Sequence, residues 1–353
     1  MIKFDVKVEK LKNSEVEITG SIPFEELEKF RKEAVEKAGA GIKIDGFREG
    51  KIPEKILIEK IGEMAILNEM AEITFGYAYV DILLMNKIDA ITSPQVTITK
   101  LAKDNPFEFK VKVAIMPKFE LADYKKIAKK EMEKKTDSTD ATEEEINKTI
   151  EQIQKSHKHV KEDGAEVTEK DLEKDLPELN DEFVKKLGDF KDVEDFKNKL
   201  KENIKHEKEH KQKESRRLAI LENIIKETEI DLPEILVDSE LRKMIAEMRD
   251  SIGRMGLNFE KYLEQIKKTE DDLRKEWRAD AENRVKGQLV LNQISLDEKI
   301  LPDETQVKKN VDMLMSQYKN AKRENVEIYV KMMITNDEVF KLLESQKLNT
   351  SAK

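Results

Sequence analysis

The sequence predicts an α+β domain of antiparallel strands and helices, followed by a mostly α-helical domain. Near the start of the chain, apolar residues alternate with polar ones, which is the period of a strand with one buried face. Farther along, apolar residues recur at steps of three and four, the period of an amphipathic helix. Charged residues make up 40% of the 353 residues and aromatic residues only 6%, a balance that suits long solvated helices better than a compact enzyme core.

Strands are expected in two pairs within the first domain, which we assign to residues 1–121. Residues 2–8 and 16–22 alternate around a polar turn and predict an antiparallel hairpin. Two further strands are expected around residues 96–101 and 107–115. With helices between the two pairs, this order predicts an α+β domain.

Proline and glycine mark the helices of this domain. Pro23 is expected to open the first helix, because the N–H that proline lacks has no helical partner in the first turn. The residues 39–41, Gly-Ala-Gly, are expected to end that helix. The second helical region begins at Pro53, and Gly62 is expected to divide it in two.

Residues 122–175 predict a connector with one helix. The first part, residues 125–140, is charged and contains Ser and Thr. Thr142 to Glu145 has the form of a capping box, and a narrow apolar stripe runs from Ile146 to Val160. A single stripe implies that this helix packs against another part of the chain. Residues 164–175 are expected to form a loop.

The remainder, residues 176–353, is predicted to be almost entirely helical. Helices are expected over residues 180–187 and 192–228, from Pro233, after Thr269, and over roughly residues 303–320 and 324–346, with a frayed end at residues 348–353. The middle of the longest helix, residues 205–217, contains no apolar residue. A helix that is polar on every side is expected to cross solvent between two packed parts of the chain.

The segment from Gly46 to Pro53 is the most informative in the chain. Its glycines allow backbone conformations that other residues avoid, and Phe47 and Arg48 are expected to project from the tip of a loop between two helices. Aromatic residues and arginine are enriched at the hot spots of protein interfaces, and arginine can engage a carboxylate through two donors. From these residues alone, an interface and a solvated turn with Phe47 folded onto its own domain are equal alternatives.

The same segment resembles the ribosome-docking signature of the trigger factor family of bacterial chaperones. Leu176–Phe183, and Ile230–Pro233 followed by Glu240, are similar to the helical domain of that family, so the resemblance covers nearly the whole chain. It implies helical arms that hold unfolded chains, and a docking site in which Arg48 pairs with an acidic residue of the protein at the tunnel exit. The docking residues that the resemblance implies are Gly46, Phe47, Arg48, Glu49, Gly50, Lys51 and Pro53.

Two departures from the family pattern affect these expectations. The position of Glu49 is usually lysine in the family, and the reversed charge is expected to weaken docking by about 1 kcal/mol at an exposed rim. Members also usually carry an FKBP-like prolyl-isomerase domain before the position of Leu176. Residues 125–181 contain no Phe, Tyr or Trp and cannot build an aromatic-lined pocket for an X-Pro amide. We therefore expect no isomerase domain, no catalytic residue and no enzyme activity.

The motif His206-Glu207-Lys208-Glu209-His210 matches the H-E-x-x-H pattern of zinc proteases. Its chemistry places two histidines one turn apart on Zn²⁺, with Glu207 as the general base. However, the motif lies in the most polar part of the longest helix, among lysines that repel a cation, and no later histidine offers a third ligand. We expect no metal site, and a zinc metalloprotease is the remote alternative.

Methionines cluster in the predicted helical domain. Their flexible, polarizable side chains adapt to partners of different shapes, while ordinary core filling is the alternative for each one. As a group they predict a surface that binds unfolded segments weakly. The expected substrate-binding residues are Met244, Met248, Met255, Met313, Met315, Tyr318, Met332 and Met333.

The composition and the absence of certain motifs indicate which cellular compartment and which classes of function to expect. The absence of Cys excludes thiolate chemistry, and a net charge of -9 is unlike a free nucleic-acid binder. The N-terminus lacks the apolar core of a signal peptide, and no stretch is apolar enough to span a membrane. No Walker-type loop is present, so no nucleotide cycle is expected. We expect a cytoplasmic protein without cofactors or membrane contact.

Together these observations predict an ATP-independent chaperone that docks at the ribosomal tunnel exit and shields nascent or unfolded polypeptides. Its expected partners are the ribosomal protein at the tunnel exit and unfolded chains, and a homodimer is allowed for the free protein. One alternative is a cytosolic holdase that acts free of the ribosome. Another is a helical scaffold for one fixed partner.

Overall fold

The computed structural model describes residues 2–40, 42–43, 47, 52–158, 176–318 and 321–346. Contacts divide the chain into two compact units that do not follow chain order. One contains Met1–Glu120 and Thr228–Val290, and the other contains Leu121–Glu227 and Leu291–Lys353. The three-part division predicted from the sequence, with boundaries at residues 121 and 175, stays a prediction.

The first unit contains an antiparallel sheet with the spatial order β1-β2-β4-β3 in the described residues. Its strands are β1 (Asp5–Lys10), β2 (Glu15–Ile22), β3 (Gln95–Lys100) and β4 (Phe107–Ala114). Val16 and Ile18 of β2 lie opposite Val113 and Val111 of β4, and all four side chains are buried. The alternation of the sequence therefore places one apolar face of the sheet in the core, and the predicted strands are confirmed.

The helices that follow β2 cover this face. They are α1 (Phe24–Glu28), α2 (Arg31–Gly39), α3 (Glu54–Ile61) and α4 (Glu63–Asn86). Gly62 has a φ of 83°, a conformation that favours glycine, and the predicted break at this residue is confirmed. The single helix predicted from Pro23 is wrong, because Phe30 leaves the helical conformation and its ring stacks on Tyr77 of α4, with centroids 5.4 Å apart.

A close approach of strands at Gly20 gives a prediction about stability. Gly20 lies between Val6 of β1 and Phe109 of β4, and an added Cβ would press into the Phe109 ring and come within 2.9 Å of Val6 Cγ1. We expect Gly20→Ala to lower the free energy of unfolding by about 1–3 kcal/mol through overpacking. Urea unfolding followed by circular dichroism measures this change.

The matched control is Gly76→Ala in α4, where an added Cβ meets no atom within 4 Å. There alanine should raise the free energy of unfolding by about 0.5–1 kcal/mol, because glycine is unfavourable inside a helix. Equal effects of the two substitutions would contradict the proposed overpacking.

The rest of the described chain is mostly helical, which confirms the predicted fold class. Its helices are α5 (Tyr124–Met132), α6 (Glu143–Lys158), α7 (Asp181–Leu187), α8 (Val193–Glu227), α9 (Glu234–Arg254), α10 (Phe259–Gln265), α11 (Glu270–Asp297), α12 (Glu304–Gln317) and α13 (Arg323–Ser345). The sequence did not predict α5 or α10. Among the described residues, none of the helices is both long and apolar enough to cross a membrane. The predicted loop at residues 164–175 and the frayed end at 348–353 lie outside the described residues.

Residues 228–290 join the first unit through the hairpin turn. The backbone N–H groups of Asn13 and Ser14 donate to the Asp231 carboxylate at 3.0 and 2.7 Å, and Ser14 Oγ donates to the Asp231 carbonyl at 2.6 Å. Within this stretch, the apolar faces of α9, α10 and α11 pack on one another. Their buried residues include Leu241, Ile245, Ile252, Phe259, Leu273 and Ala281.

The second unit contains the predicted connector helix, α6. The Thr142 N–H donates to Glu145, and the Glu145 N–H donates to Thr142 Oγ1, which is the reciprocal pattern of a capping box. Ile146 and Ile150 are buried against Val184 and Phe196 of α7 and α8, among others. The expectation that this helix packs against another part of the chain is confirmed.

The polar middle of α8 is mostly exposed to solvent, as predicted, and some of its side chains also make polar contacts within the second unit. Lys205 donates to the Asp140 carboxylate at 3.1 Å, and Lys208 donates to the Asp140 carbonyl at 2.9 Å. Farther along, Arg217 pairs with Glu344 and Asp337 of α13 at 2.6 and 2.9 Å. Three polar side chains of α8 therefore contact the connector and α13 through ion pairs and hydrogen bonds.

Candidate functional site

The predicted docking segment leads directly into α3. Phe47 is 40% exposed, which is compatible with a role at an interface. Ile52 is buried in the core of the first unit, and Pro53 is the residue that precedes α3. The other predicted docking residues lie outside the described residues: Gly46, Arg48, Glu49, Gly50 and Lys51.

The second candidate site is an apolar surface on α12 and α13. These helices pack together through Val307, Val311, Val330 and Ile334, which are buried. Their outer faces leave several large apolar side chains exposed to solvent: Met313, Tyr318, Ile328, Tyr329 and Met333. Tyr329 and Met333 are one helical turn apart and therefore share a face.

A groove of about 520 Å³ lies beside α13. One wall is the end of α11 and the residues after it, including Leu296 and Leu301, which are 71% and 84% exposed. The other wall is α13, where Met332 lines the groove. Leu296 and Leu301 did not belong to any apolar stripe predicted from the sequence. Only the structure shows that both side chains are exposed beside α13.

The predicted methionines differ in how far they are exposed. Met313 and Met333 are exposed, whereas Met315 packs against the core of α12 and α13. Met244 is only 8% exposed because α9 buries it against Val237, Leu241 and Ala281, so it is a core residue, and the sequence interpretation of it as a client contact is not supported. Met248 is also packed on a core, while Met255 is exposed at the end of α9.

The H-E-x-x-H motif has a polar contact role in the second unit. His206 is largely exposed, with Nδ1 3.5 Å from Glu209, and Lys208 pairs with Glu145 of α6 at 3.0 Å. Hydrogen bonds from the Thr142 backbone and from Lys208 lower the pKa of the Glu145 carboxyl. Within the described ranges, no group of His, Cys, Asp and Glu side chains could hold a metal ion.

Comparison with known families matches both halves of the chain. A model described as "Bacterial trigger factor protein (TF)" matches residues 4–153, and one described as "Bacterial trigger factor protein (TF) C-terminus" matches residues 192–348. The chain belongs to the trigger factor family. Trigger factor from Caldicellulosiruptor bescii is 23% identical over 89% of this chain and 88% of its own length. Trigger factor from Macrococcus caseolyticus is 25% identical over 89% of this chain and 91% of its own length.

The relatives carry residues that this trigger factor family member lacks. The alignment with the C. bescii protein runs over 387 positions, more than the 353 residues of this chain, so part of the relative has no counterpart here. Residues 154–191 are all that separates the two family matches. This member is therefore a short form.

A solved structure supports the same fold. It is described as "Promiscuous Substrate Recognition in Folding and Assembly Activities of the Trigger Factor Chaperone", and it matches with a TM-score of 0.56 and 19% identity. The match covers 97% of this chain and 99% of that chain.

Proposed function

We propose that this protein is an ATP-independent molecular chaperone that docks at the ribosomal tunnel exit and shields nascent or unfolded polypeptides. The observation that carries the proposal is the exposed apolar surface of α12 and α13, whose inner faces are already packed on each other. Membership of the trigger factor family supports it. The proposed partners are the protein at the tunnel exit and unfolded chains, and the proposed compartment is the cytoplasm.

The client surface suits weak and unselective binding. Met313 and Met333 are flexible apolar side chains held on helices, and such side chains adapt to different apolar segments. Leu301 adds an exposed apolar side chain in the segment between α11 and α12. Each contact contributes only part of the roughly 1.5–3 kcal/mol that full burial of an apolar side chain gives. A client is therefore held by several contacts at once and can leave as it folds.

Docking is proposed to use the segment from Gly46 to Pro53. Phe47 offers an apolar contact, and Arg48 offers two donors to a carboxylate on the ribosome. Glu49 opposes docking, because a carboxylate at this position faces an acidic or phosphate-rich surface. A holdase that acts free of the ribosome is the second candidate, and Glu49 is the residue that favours it.

Two measurements on the unaltered chain test the proposal. Light scattering of a chemically unfolded client after dilution measures whether the chain delays aggregation, and sedimentation with ribosomes at moderate salt measures docking. We expect both activities. Aggregation without delay would reject the chaperone function, while delay without sedimentation would favour the free holdase.

We also predict that the protein has no prolyl-isomerase activity. Residues 125–181 contain no aromatic side chain from which a pocket for an X-Pro amide could be built, and the chain is a short form of the family. Isomerisation of a proline tetrapeptide, coupled to a protease that cleaves only the trans form, should proceed at the uncatalysed rate. Catalysis that scales with the concentration of chain through repeated purification would show this prediction to be wrong.

A further inference from the structure

The helix that follows the docking segment has a single fully buried apolar residue. Within the eight residues of α3, Leu57 is fully buried, while Ile56, Ile58 and Ile61 are half-buried. At its end, Gly62 adopts a φ of 83°, and an added Cβ there would meet no atom within 4 Å. Thus α3 lies between the docking segment and a glycine without nearby side-chain contacts, and a polar contact can add to the apolar contacts that hold this helix.

Arg31 of α2 supplies a constraint on both sides of α3. Its Nε donates to Glu54 Oε1 at 2.6 Å, and its Nη2 donates to Glu63 Oε1 at 2.7 Å. Glu54 is the first residue of α3, and Glu63 is the first residue of α4, immediately after Gly62. One guanidinium therefore joins the start of α3 to the far side of the glycine that ends it.

The geometry of this contact suits arginine better than lysine. A guanidinium presents its donors in a rigid planar fork, whereas a lysine ammonium is a single point charge on a flexible stem. The Arg31 side chain is only 18% exposed, and a third carboxylate, that of Glu28, lies 3.7 Å from Nη1. The hydrogen bonds that Arg31 donates to the Glu63 and Glu54 carboxylates raise its pKa, although partial burial opposes the rise.

We propose that Arg31 is a positioning residue for docking, which fixes α3 and thereby the end of the docking segment before it meets its partner. This inference rests on the proposed docking function. A partner then binds a support that is already ordered, so less conformational entropy is lost on binding. Arg31 itself does not need to touch the partner.

The same helix offers a matched control. Lys37 of α2 pairs with Glu69 and Glu72, at 2.8 and 3.2 Å, and both of these carboxylates belong to α4. Lys37→Met therefore removes a comparable pair of contacts between α2 and α4 while leaving α3 untouched. Packing of α2 on α4 through Ala34, which is fully buried, is retained in both variants.

The absence of Cys in the chain allows a direct measurement of α3. A nitroxide attached at Lys55→Cys, an exposed position on α3, reports the mobility of this helix in the full chain. We expect Arg31→Met to increase the mobility of the label and Lys37→Met to leave it unchanged. Glu54→Gln, which changes only an exposed residue of α3, should act like Arg31→Met, and Arg31→Lys should lie between the wild type and Arg31→Met.

Ribosome binding of the unlabelled variants completes the test. We expect Arg31→Met and Glu54→Gln to raise the dissociation constant about five- to tenfold through the loss of preorganisation, with Lys37→Met close to wild type. Thermal unfolding should shift alike in the Arg31 and Lys37 variants, so stability alone does not explain the difference. If the wild type fails to bind ribosomes, the docking function is wrong. If the wild type binds, and Arg31→Met and Glu54→Gln bind equally well with an unmoved label, the positioning role is wrong.

Discussion

Replacing Arg48 by alanine is expected to weaken ribosome binding by about 2 kcal/mol, or roughly thirtyfold, as is typical of an arginine at an interface hot spot. The reason is that truncation removes a charge-assisted pair of hydrogen bonds and leaves the partner carboxylate unpaired. Sedimentation with ribosomes over a range of chain concentrations gives the dissociation constant. Lys55→Ala, which removes an exposed basic residue of α3 outside the docking segment, is the control and should bind like the wild type.

The opposite substitution at the neighbouring position makes this test sharper. Glu49→Lys restores the charge that the family usually has, so it should tighten binding by about 1 kcal/mol, and the gain should shrink as salt is added because exposed charges are screened. Unchanged binding of Arg48→Ala would indicate another docking surface. Weaker binding of Glu49→Lys would show that the carboxylate contributes to docking instead of opposing it.

Local signals in the sequence were sufficient for most of the fold. Gly62 divides α3 from α4 because its φ of 83° suits only a residue without a side chain. Thr142 and Glu145 form the capping box that their spacing predicts. In each case the structure depends on residues within a few positions of one another, so a single sequence contains the whole signal.

The elements that the sequence missed depend on partners far along the chain. Helix α5 begins in a charged stretch and buries Glu131, whose carboxylate accepts a hydrogen bond from Asn223 at 3.0 Å and pairs with Lys134. The middle of α8 is solvated as expected, but the sequence did not predict its contact with Asp140, which lies more than sixty residues earlier. Composition and periodicity do not show such pairs.

The same limit applies to the candidate sites. Met244 lies within α9 and Met255 directly follows its last residue, yet Met244 is buried against Leu241 and Ala281 while Met255 is exposed. Helical periodicity indicates which residues share a face, but only the packed structure shows which face is covered. The motif from Gly46 to Pro53 could be recognised because its residue types are unusual, and its docking role stays a prediction.

The exposed surface of α12, α13 and the adjoining groove should account for most of the binding of unfolded clients. We expect a quadruple variant, Leu301→Ser, Met313→Ser, Tyr329→Ser and Met333→Ser, to bind a labelled unfolded client at least about tenfold more weakly, since partial burial of four apolar side chains is lost. Each single substitution should change the affinity only about twofold. Met315 is left unchanged because it packs against the core of the two helices. Fluorescence anisotropy of the client measures the affinity, and light scattering measures protection against aggregation.

The matched control places the same chemical change in the first unit. Met64, Val80, Leu84 and Met85 of α4 are all at least half exposed, and their replacement by Ser removes a similar apolar area. If the client surface lies on α12, α13 and the groove, this control keeps its client affinity while the first variant loses it. Equal losses would mean that clients bind any exposed apolar patch. A quadruple variant in α12 and α13 that loses helix content would show instead that these side chains support the fold, whereas retained helix content with weaker client binding assigns them to the client.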